Sequence, residues 1–395
     1  MQYLLKNGSI LDTKSGMSQK GDVAIKNGTI VGPSLLQDPE VIDLEGRIVS
    51  FGLWDCHAHP GSLMYDSKNE GYFQSVAEWT VRAGKNLLDS VAMGVTGIRT
   101  TSESIGIDSA WARSFEAGLF KGPRVKCSGP GLRVTGGHGT TFPKEHREVH
   151  VEWVADGADG MRVATRELIE SGVDLIKLMI TGGLYSEHET VEDSQFTEDE
   201  LRAVMAVAVN KGIPVAAHCG GARAAELFAN LGGRSIEHGY ALDEKAAAAM
   251  AKNGTWLVPT IGVTTDIALM EADGWPEHAK TRAKLAAVRH KESLRICLAA
   301  GVRIATGADL NPIGPRLHAE MVMLEEAGMS RLEVLHAATA GGRELNGMGD
   351  ASAPTHGALA DLLILDKNPL EDIDSLKNPA GVLTFGRLVK DWRLA

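Results

Sequence analysis

One phrase recurs along the middle of this chain and limits what it can fold into: an amphipathic stretch, a glycine, then a short apolar run. Gly94–Thr100, Gly172–Leu178, Gly212–His218, Gly233–His238, Gly254–Pro259 and Gly301–Thr306 all read this way. A glycine behind a helical pattern is a C-cap, because it enters the left-handed region without steric cost. The apolar run that follows fits a strand buried on both faces. Ile48–Phe51 and Arg124–Cys127 bring such strands to eight. Two helix starts between them carry capping boxes, Thr197 with Glu200 ahead of Leu201–Asn210, and Ser330 with Glu333. Strands alternating with helices imply a parallel sheet. Eight units over roughly 260 residues match a (β/α)8 TIM barrel, typically ~250 residues long. A doubly wound open sheet is the alternative, weakened because no GxGxxG follows the first strand.

The two ends read differently. Residues 1–47 hold strand-like runs with turn signals at Asn7-Gly8, Lys20-Gly21 and Asn27-Gly28, and strands return at Ala360–Leu365 and Val382–Val389. The expectation is an α/β chain with its barrel at 48–354 and one small β-sandwich composed of 1–47 and 355–395. The balance of 51 acids against 40 bases gives a net charge of −11. With no basic stripe, that charge repels phosphate backbones and argues against nucleic acid. No apolar stretch approaches the ~20 residues a bilayer needs, and Met1–Ile10 lacks the apolar core and cleavage site of a secretory leader. Cys56, Cys127, Cys219 and Cys297 form no CxxC pair, which suits a reducing cytoplasm.

Chemistry gathers at the strand ends. In Asp55-Cys-His57-Ala-His59 the two histidines lie two apart, so on a strand they share a face and can ligate one metal. His218 closes the fifth strand, His238 the sixth, and Asp309 the segment Ile304–Asp309. In a barrel the C-terminal ends of all strands meet at one rim, where active sites sit. These five residues therefore converge although they span the sequence. Lys177 stands inside the apolar fourth strand, Leu175–Ile180, where an unpaired charge is costly. It either snorkels to the rim or is a buried amine of lowered pKa. A neutral amine there could take up CO2 and become a carbamate, a carboxylate-like ligand that could bridge two cations.

HxH after strand one, Lys on strand four, His on strands five and six and Asp on strand eight resemble the amidohydrolase superfamily, and the resemblance covers almost the whole chain. The tail Gly357–Pro369 is similar to that family's return strand into its N-terminal sandwich. Thr135-Gly-Gly-His138-Gly139 and Thr181-Gly-Gly183 resemble the imidazolonepropionase-like subgroup, which includes metal-dependent dipeptidases, carboxypeptidases and ochratoxinase-like enzymes. The resemblance implies two divalent metal ions, most often zinc, though manganese or cobalt also suit imidazole and carboxylate. His57, His59 and Asp309 would hold the more buried cation and His218 and His238 the more exposed one, with N6-carboxylated Lys177 bridging. Zinc lowers the pKa of bound water towards ~7, giving hydroxide that attacks a carbonyl carbon. Asp309 would carry the proton to the leaving nitrogen, and His138 would polarise the carbonyl oxygen. The substrate implied is a small N-acyl amino acid or dipeptide. Cyclic amides, carbamates, ureas and lactones are the alternative. By analogy with relatives, the protein is expected to form a homo-oligomer.

The sequence also departs from that pattern. Where many of the subgroup carry a bulky polar residue two positions after the strand-five histidine, this chain has Gly220. A substrate contact there is lost or moved, and three residues are candidates to replace it. Arg133 either clamps a substrate carboxylate bidentately or makes a salt bridge. Tyr185 is either a lid aromatic or packing, and His188 lies on the same loop. A metal deaminase on this fold usually has a glutamate three residues after that histidine, here Gly221, and generally lacks the bridging lysine. A non-catalytic scaffold typically loses ligands, whereas all six ligand positions are kept.

Overall fold

The computed structural model describes residues 1–62, 74–104, 106–140 and 152–394. It opens with β1 (Gln2–Leu11), β2 (Ser18–Lys26), β3 (Thr29–Val31), β4 (Glu40–Asp43) and β5 (Ile48–Phe51). Of the three expected turns, Asn27-Gly28 reverses the chain, with φ of 51° and 83°, as a two-residue hairpin requires. Asn7-Gly8 is instead a bulge within β1, and Gly21 lies inside β2 opposite Gly8.

Ile48–Phe51 is not a barrel strand. It pairs with β1 and later, antiparallel, with the C-terminal segment Leu362–Leu365. Gly52 then turns the chain so close to Thr96 that a Cβ would lie 2.0 Å from its Oγ1. The first barrel strand is β6 (Leu53–Ala58), which holds Asp55 and His57 within it. β7 (Val95–Thr100) and β8 (Arg124–Lys126) follow, then β9 (Gly131–Arg133), β10 (Glu152–Val154), β11 (Ile176–Met179), β12 (Val215–Gly221), β13 (Ser235–Ala241) and β14 (Trp256–Val258). They form two parallel arcs, β6-β7-β8 and β10-β9-β11-β12-β13-β14. The third strand position is broken at Gly129-Pro130: β8 bonds to β7, and β9 bonds to β11. The eighth position is filled by residues 303–309, irregular but bonded on both sides. Leu257 N donates to Arg303 O at 2.9 Å, Cys56 N to Thr306 O at 2.9 Å and Asp309 N to His57 O at 2.8 Å.

Helix boundaries follow their caps. Glu198–Lys211 opens on the Thr197–Glu200 box and ends at Gly212, φ 67°. Arg331–His336 opens on Ser330–Glu333, and a further box, Ser75–Glu78, opens Val76–Ala92. Before β13 the left-handed residue is Gly232, not Gly233; Gly233 is small because a Cβ would sit 2.1 Å from the Phe228 ring.

The chain returns through β15 (Leu362–Leu365), β16 (Gly381–Thr384) and β17 (Arg387–Lys390). These complete a mixed sheet built from both ends, ordered β17-β16-β15-β5-β1-β2-β3 with β4 on β1. The expected strand Val382–Val389 is a hairpin, turned at Phe385 and Gly386 with φ of 51° and 67°. The sheet buries Leu5, Ile25, Phe51 and Leu362 in its own core, while Ile98, Leu132, Leu178 and Ile236 pack between barrel and helices. Among the described residues no helix is long and apolar enough to cross a membrane. The four cysteines are free and buried.

Candidate metal centre

The strands carry their ligand-type side chains to one rim, although His218 and His238 do not close their strands: β12 and β13 each run three residues beyond them. His57, His238 and Asp309, all buried, present one ligand atom each within 4.8 Å of one another. That donor set, two imidazoles and a carboxylate, suits a divalent transition metal. The Nε2 atoms of His57 and His59 both face Asp309 Oδ1, at 3.4 and 3.1 Å. The His218 ring stands 4.4 Å from that of His238, and the His138 ring stacks on His218 at 4.0 Å. Lys177 is buried beneath them, 1% exposed. Its burial lowers the amine to about 8, against the opposing pull of Glu237 and Asp309.

Each histidine is aimed by its other nitrogen. His57 Nδ1 donates to Glu237 Oε2 at 2.8 Å and His59 Nδ1 to Ser102 O at 2.7 Å. Both partners only accept, so the protons sit on Nδ1 and leave each Nε2 free for a cation. His238 Nδ1 meets Thr260 Oγ1 at 2.7 Å. Desolvation pushes His57 down to about 4, and His218 and His238 well below the ordinary histidine value. Buried neutral imidazoles are what a metal binds.

The backbone is strained at the same place. His238, Thr260, Asp309 and Ser102 have φ of 71°, 47°, 61° and 107°. Such conformations cost ~1–3 kcal/mol each and cluster at functional sites, where the surroundings over-determine them. At His238 the strain breaks the alternation of β13, which places Glu237 and His238 against the same centre.

Sequence reasoning missed what lies below the ligands. Glu237, 0% exposed, binds His57 and also accepts from Arg99 Nη2 at 2.7 Å; Ser235 Oγ donates to it at 2.5 Å. Arg99 further donates to Ser235 Oγ at 2.9 Å and to Cys56 O at 2.6 Å. Arg99, His57 and Lys177 outweigh the desolvation of Glu237 and hold its carboxyl down at about 2. A signal was present: Arg99 and Glu237 are charges inside apolar strands, the criterion that singled out Lys177. Tyr240, stacked on the His238 ring at 5.1 Å, was also missed.

The proposed substrate contacts are placed unevenly. Arg133 is buried, its Nε on Glu152 Oε2 at 3.0 Å and its Nη1 on Thr140 Oγ1 at 2.8 Å. Tyr185 is half-buried, edge-on to Trp275 at 6.0 Å, and His188 is exposed. The place of a side chain at Gly220 is taken by the strand-four loop: a Cβ there would lie 2.3 Å from Val191 O. At Gly221 a Cβ would meet Glu192 Cα at 3.1 Å.

A family model for the amidohydrolase family matches residues 48–389. The ochratoxinase of Aspergillus niger is 29% identical over 354 residues, covering 84% of this chain and 72% of that one. A prolidase solved with N-methylphosphonate-L-proline is 31% identical, with a TM-score of 0.89 over 99% of this chain and 100% of that one. A Xaa-Pro dipeptidase with methionine bound in its active site is 27% identical, with a TM-score of 0.88 over 99% and 100%.

Proposed function

The chain belongs to the amidohydrolase family, and on that premise we propose that it is a binuclear metal-dependent hydrolase cleaving the amide C–N bond of small N-acyl amino acids or dipeptides. The observation that carries this reading is the convergence of His57, His238 and Asp309 with His59 and His218 beside them and Lys177 buried beneath. The prolidase and Xaa-Pro dipeptidase relatives supply the substrate class. His57, His59 and Asp309 would hold one cation and His218 and His238 the other, with Lys177 as a carbamate between them. When bound, the cations, zinc in our reading, supply a lowered water pKa and a polarised carbonyl.

The rest falls to the chain's own residues. Asp309 accepts the nucleophile's proton and delivers it to the leaving nitrogen. His138 holds the carbonyl oxygen with Nε2. Its Nδ1 donates to the Glu189 carboxylate at 2.7 Å, an acceptor only, so Glu189 orients the ring and sets a negative charge beside it. Arg133, with Nε and Nη1 engaged, offers Nη2 to a substrate carboxylate; Tyr185 and His188 would line the entrance. The reducing cytoplasm and a homo-oligomeric state complete the reading.

Elemental analysis of purified protein is expected to find near two divalent ions per chain. A dipeptide and N-acyl amino acid library should then yield substrates for the metal-loaded enzyme. One ion per chain points to a deaminase-type site and none to a scaffold. Turnover confined to cyclic amides, carbamates, ureas or lactones overturns the substrate class. Lys177→Ala should sharply reduce hydrolysis, and unchanged activity removes the carbamate.

A further inference from the structure

The loop that follows β11 is anchored to its own strand at both ends. Thr181 bridges Ser194. Gly182 N donates to Asp193 O at 3.0 Å and Gln195 N to Ile180 O at 2.9 Å. Between these anchors, buried Glu189 takes His138 Nδ1 on Oε1 at 2.7 Å and Gln195 Nε2 on Oε2 at 3.1 Å. Gln195 Oε1 in turn accepts the backbone N–H of His138 at 2.7 Å. Glu189 and Gln195 therefore hold His138 by both its ring and its main chain. Glycines make the room: a Cβ at Gly183 would lie 2.2 Å from His138 Cε1, and one at Gly220 would collide with Val191 O.

A second element fixes the path of this loop. The helix Glu277–Ala299 passes over it. From that helix Arg282 Nη1 donates to the carbonyls of Gly183 at 3.3 Å, Leu184 at 3.1 Å and Ser186. His278 Nε2 donates to Tyr185 O at 2.8 Å. These are contacts to main-chain carbonyls, so they set where the loop runs whatever its side chains are. Underneath, Leu184 packs with Tyr240, Met270 and Trp275.

We propose that Glu189 and Arg282 are positioning residues for His138: Arg282 holds the 182–195 loop on the rim, and Glu189, carried by that loop, fixes the His138 ring against His218 with Nε2 turned to the substrate. The inference rests on the reading of His138 as the carbonyl contact. It adds two residues that touch no ligand atom, one of them on a helix far along the chain.

The test uses the metal-loaded full chain and a dipeptide it hydrolyses. Glu189→Ala is expected to lower kcat roughly 10- to 100-fold, the size of effect outer partners of site histidines have, and Arg282→Ala by less, since it acts on His138 only through the loop. KM and metal content should stay within twofold. Glu189→Gln, whose amide oxygen still accepts from Nδ1, and Arg282→Lys should recover part of each loss. In a His138→Ala background neither substitution should cost anything further. Losses that simply multiply with that of His138→Ala overturn the inference while leaving the His138 reading intact; full activity in His138→Ala overturns both. A second readout does not depend on turnover. In protein with 15N-labelled histidine, His138 is expected to show an Nδ1 proton held in a hydrogen bond to Glu189, and Glu189→Ala should shift or remove that Nδ1–H signal. An unchanged His138 signal in that variant also overturns the inference.

Discussion

The two sides of this metal centre are held by different means. On the side of β6 and residues 303–309, His57 and Asp309 are fixed from inside the barrel, by Glu237, its salt bridge to Arg99, and main-chain bonds between strands. On the side of β11 and β12, His138 is held by a loop and His218 rests against it, its Nε2 3.1 Å from Gly182 O. The first support is a buried charge pair that cannot fail without harming the fold. The second is an arrangement of main-chain contacts over the rim that can shift while the barrel stands. On the reading proposed above, the ligands His57 and Asp309 thus lie on the rigid side, and His138, the proposed carbonyl contact, lies on the adjustable one.

The comparison predicts where damage shows. The largest loss should follow removal of the cations or of Asp309. Chelation is expected to abolish hydrolysis, and zinc to restore it, with the far-ultraviolet circular dichroism unchanged because strand bonds hold the barrel. Asp309→Asn should cost at least about 10³-fold in kcat, since proton transfer alone is worth ~10²–10⁴-fold. Turnover within tenfold of the parent would remove Asp309 from the chemistry. Next comes Glu237→Ala, which leaves the Arg99 guanidinium buried without its carboxylate and should destabilise the fold by about 3–5 kcal/mol. Freed of its acceptor, His57 should also bind metal ~10- to 100-fold more weakly. A denaturant titration and a competitive chelator assay check the two parts; an unaltered unfolding midpoint would show that the rigid side is not held this way.

Much of the rigid side was legible in sequence, because it is written by position. Residues two apart on a strand share a face, strand ends share a rim, and glycine C-caps mark where strands begin. His57, His238 and Asp309 follow from those rules alone. What escaped them were cases with the same local pattern and a different partner. Ile48–Phe51 is as apolar as a barrel strand, and only pairing with Leu362–Leu365 decides its sheet. Arg99 and Glu237 carried the signal read at Lys177, but each neutralises the other, which one strand cannot reveal. The adjustable side was less legible. Glu189 lies in the polar run Ser186–Asp193 among three other acids, and nothing local separates the one that reaches His138. Gly220 reads as a lost contact in sequence; in three dimensions it admits a loop.

That loop allows finer tests. Gly220→Ala places a methyl group against the Val191 carbonyl, a contact of 2.3 Å that requires main chain to move. Overpacking of this kind costs about 1–3 kcal/mol, and here the yielding partner is the loop that carries Glu189. The expected result is a kcat down roughly tenfold with metal content intact, the reverse of the Glu237→Ala pattern, since the strand ligands are untouched. Loss of metal instead would mean that the glycine serves the ligands.

The smallest effect should come from the outer end of the same loop, where Arg289 pairs with Glu192 at 2.5 Å with both side chains more than half or half exposed, 57% and 50%. An exposed pair is worth ~0.2–1 kcal/mol and is screened by salt. Arg282, by contrast, is half-buried and bonds the carbonyls of Gly183, Leu184 and Ser186. If the loop is held by main-chain contacts rather than by charge, Arg289→Ala should leave kcat within twofold, and raising the salt concentration should leave the parent's kcat equally unmoved. A large loss from Arg289→Ala, suppressed in the parent by salt, would show that electrostatics hold the adjustable side, and the contrast between main-chain anchorage there and buried charge opposite would fail.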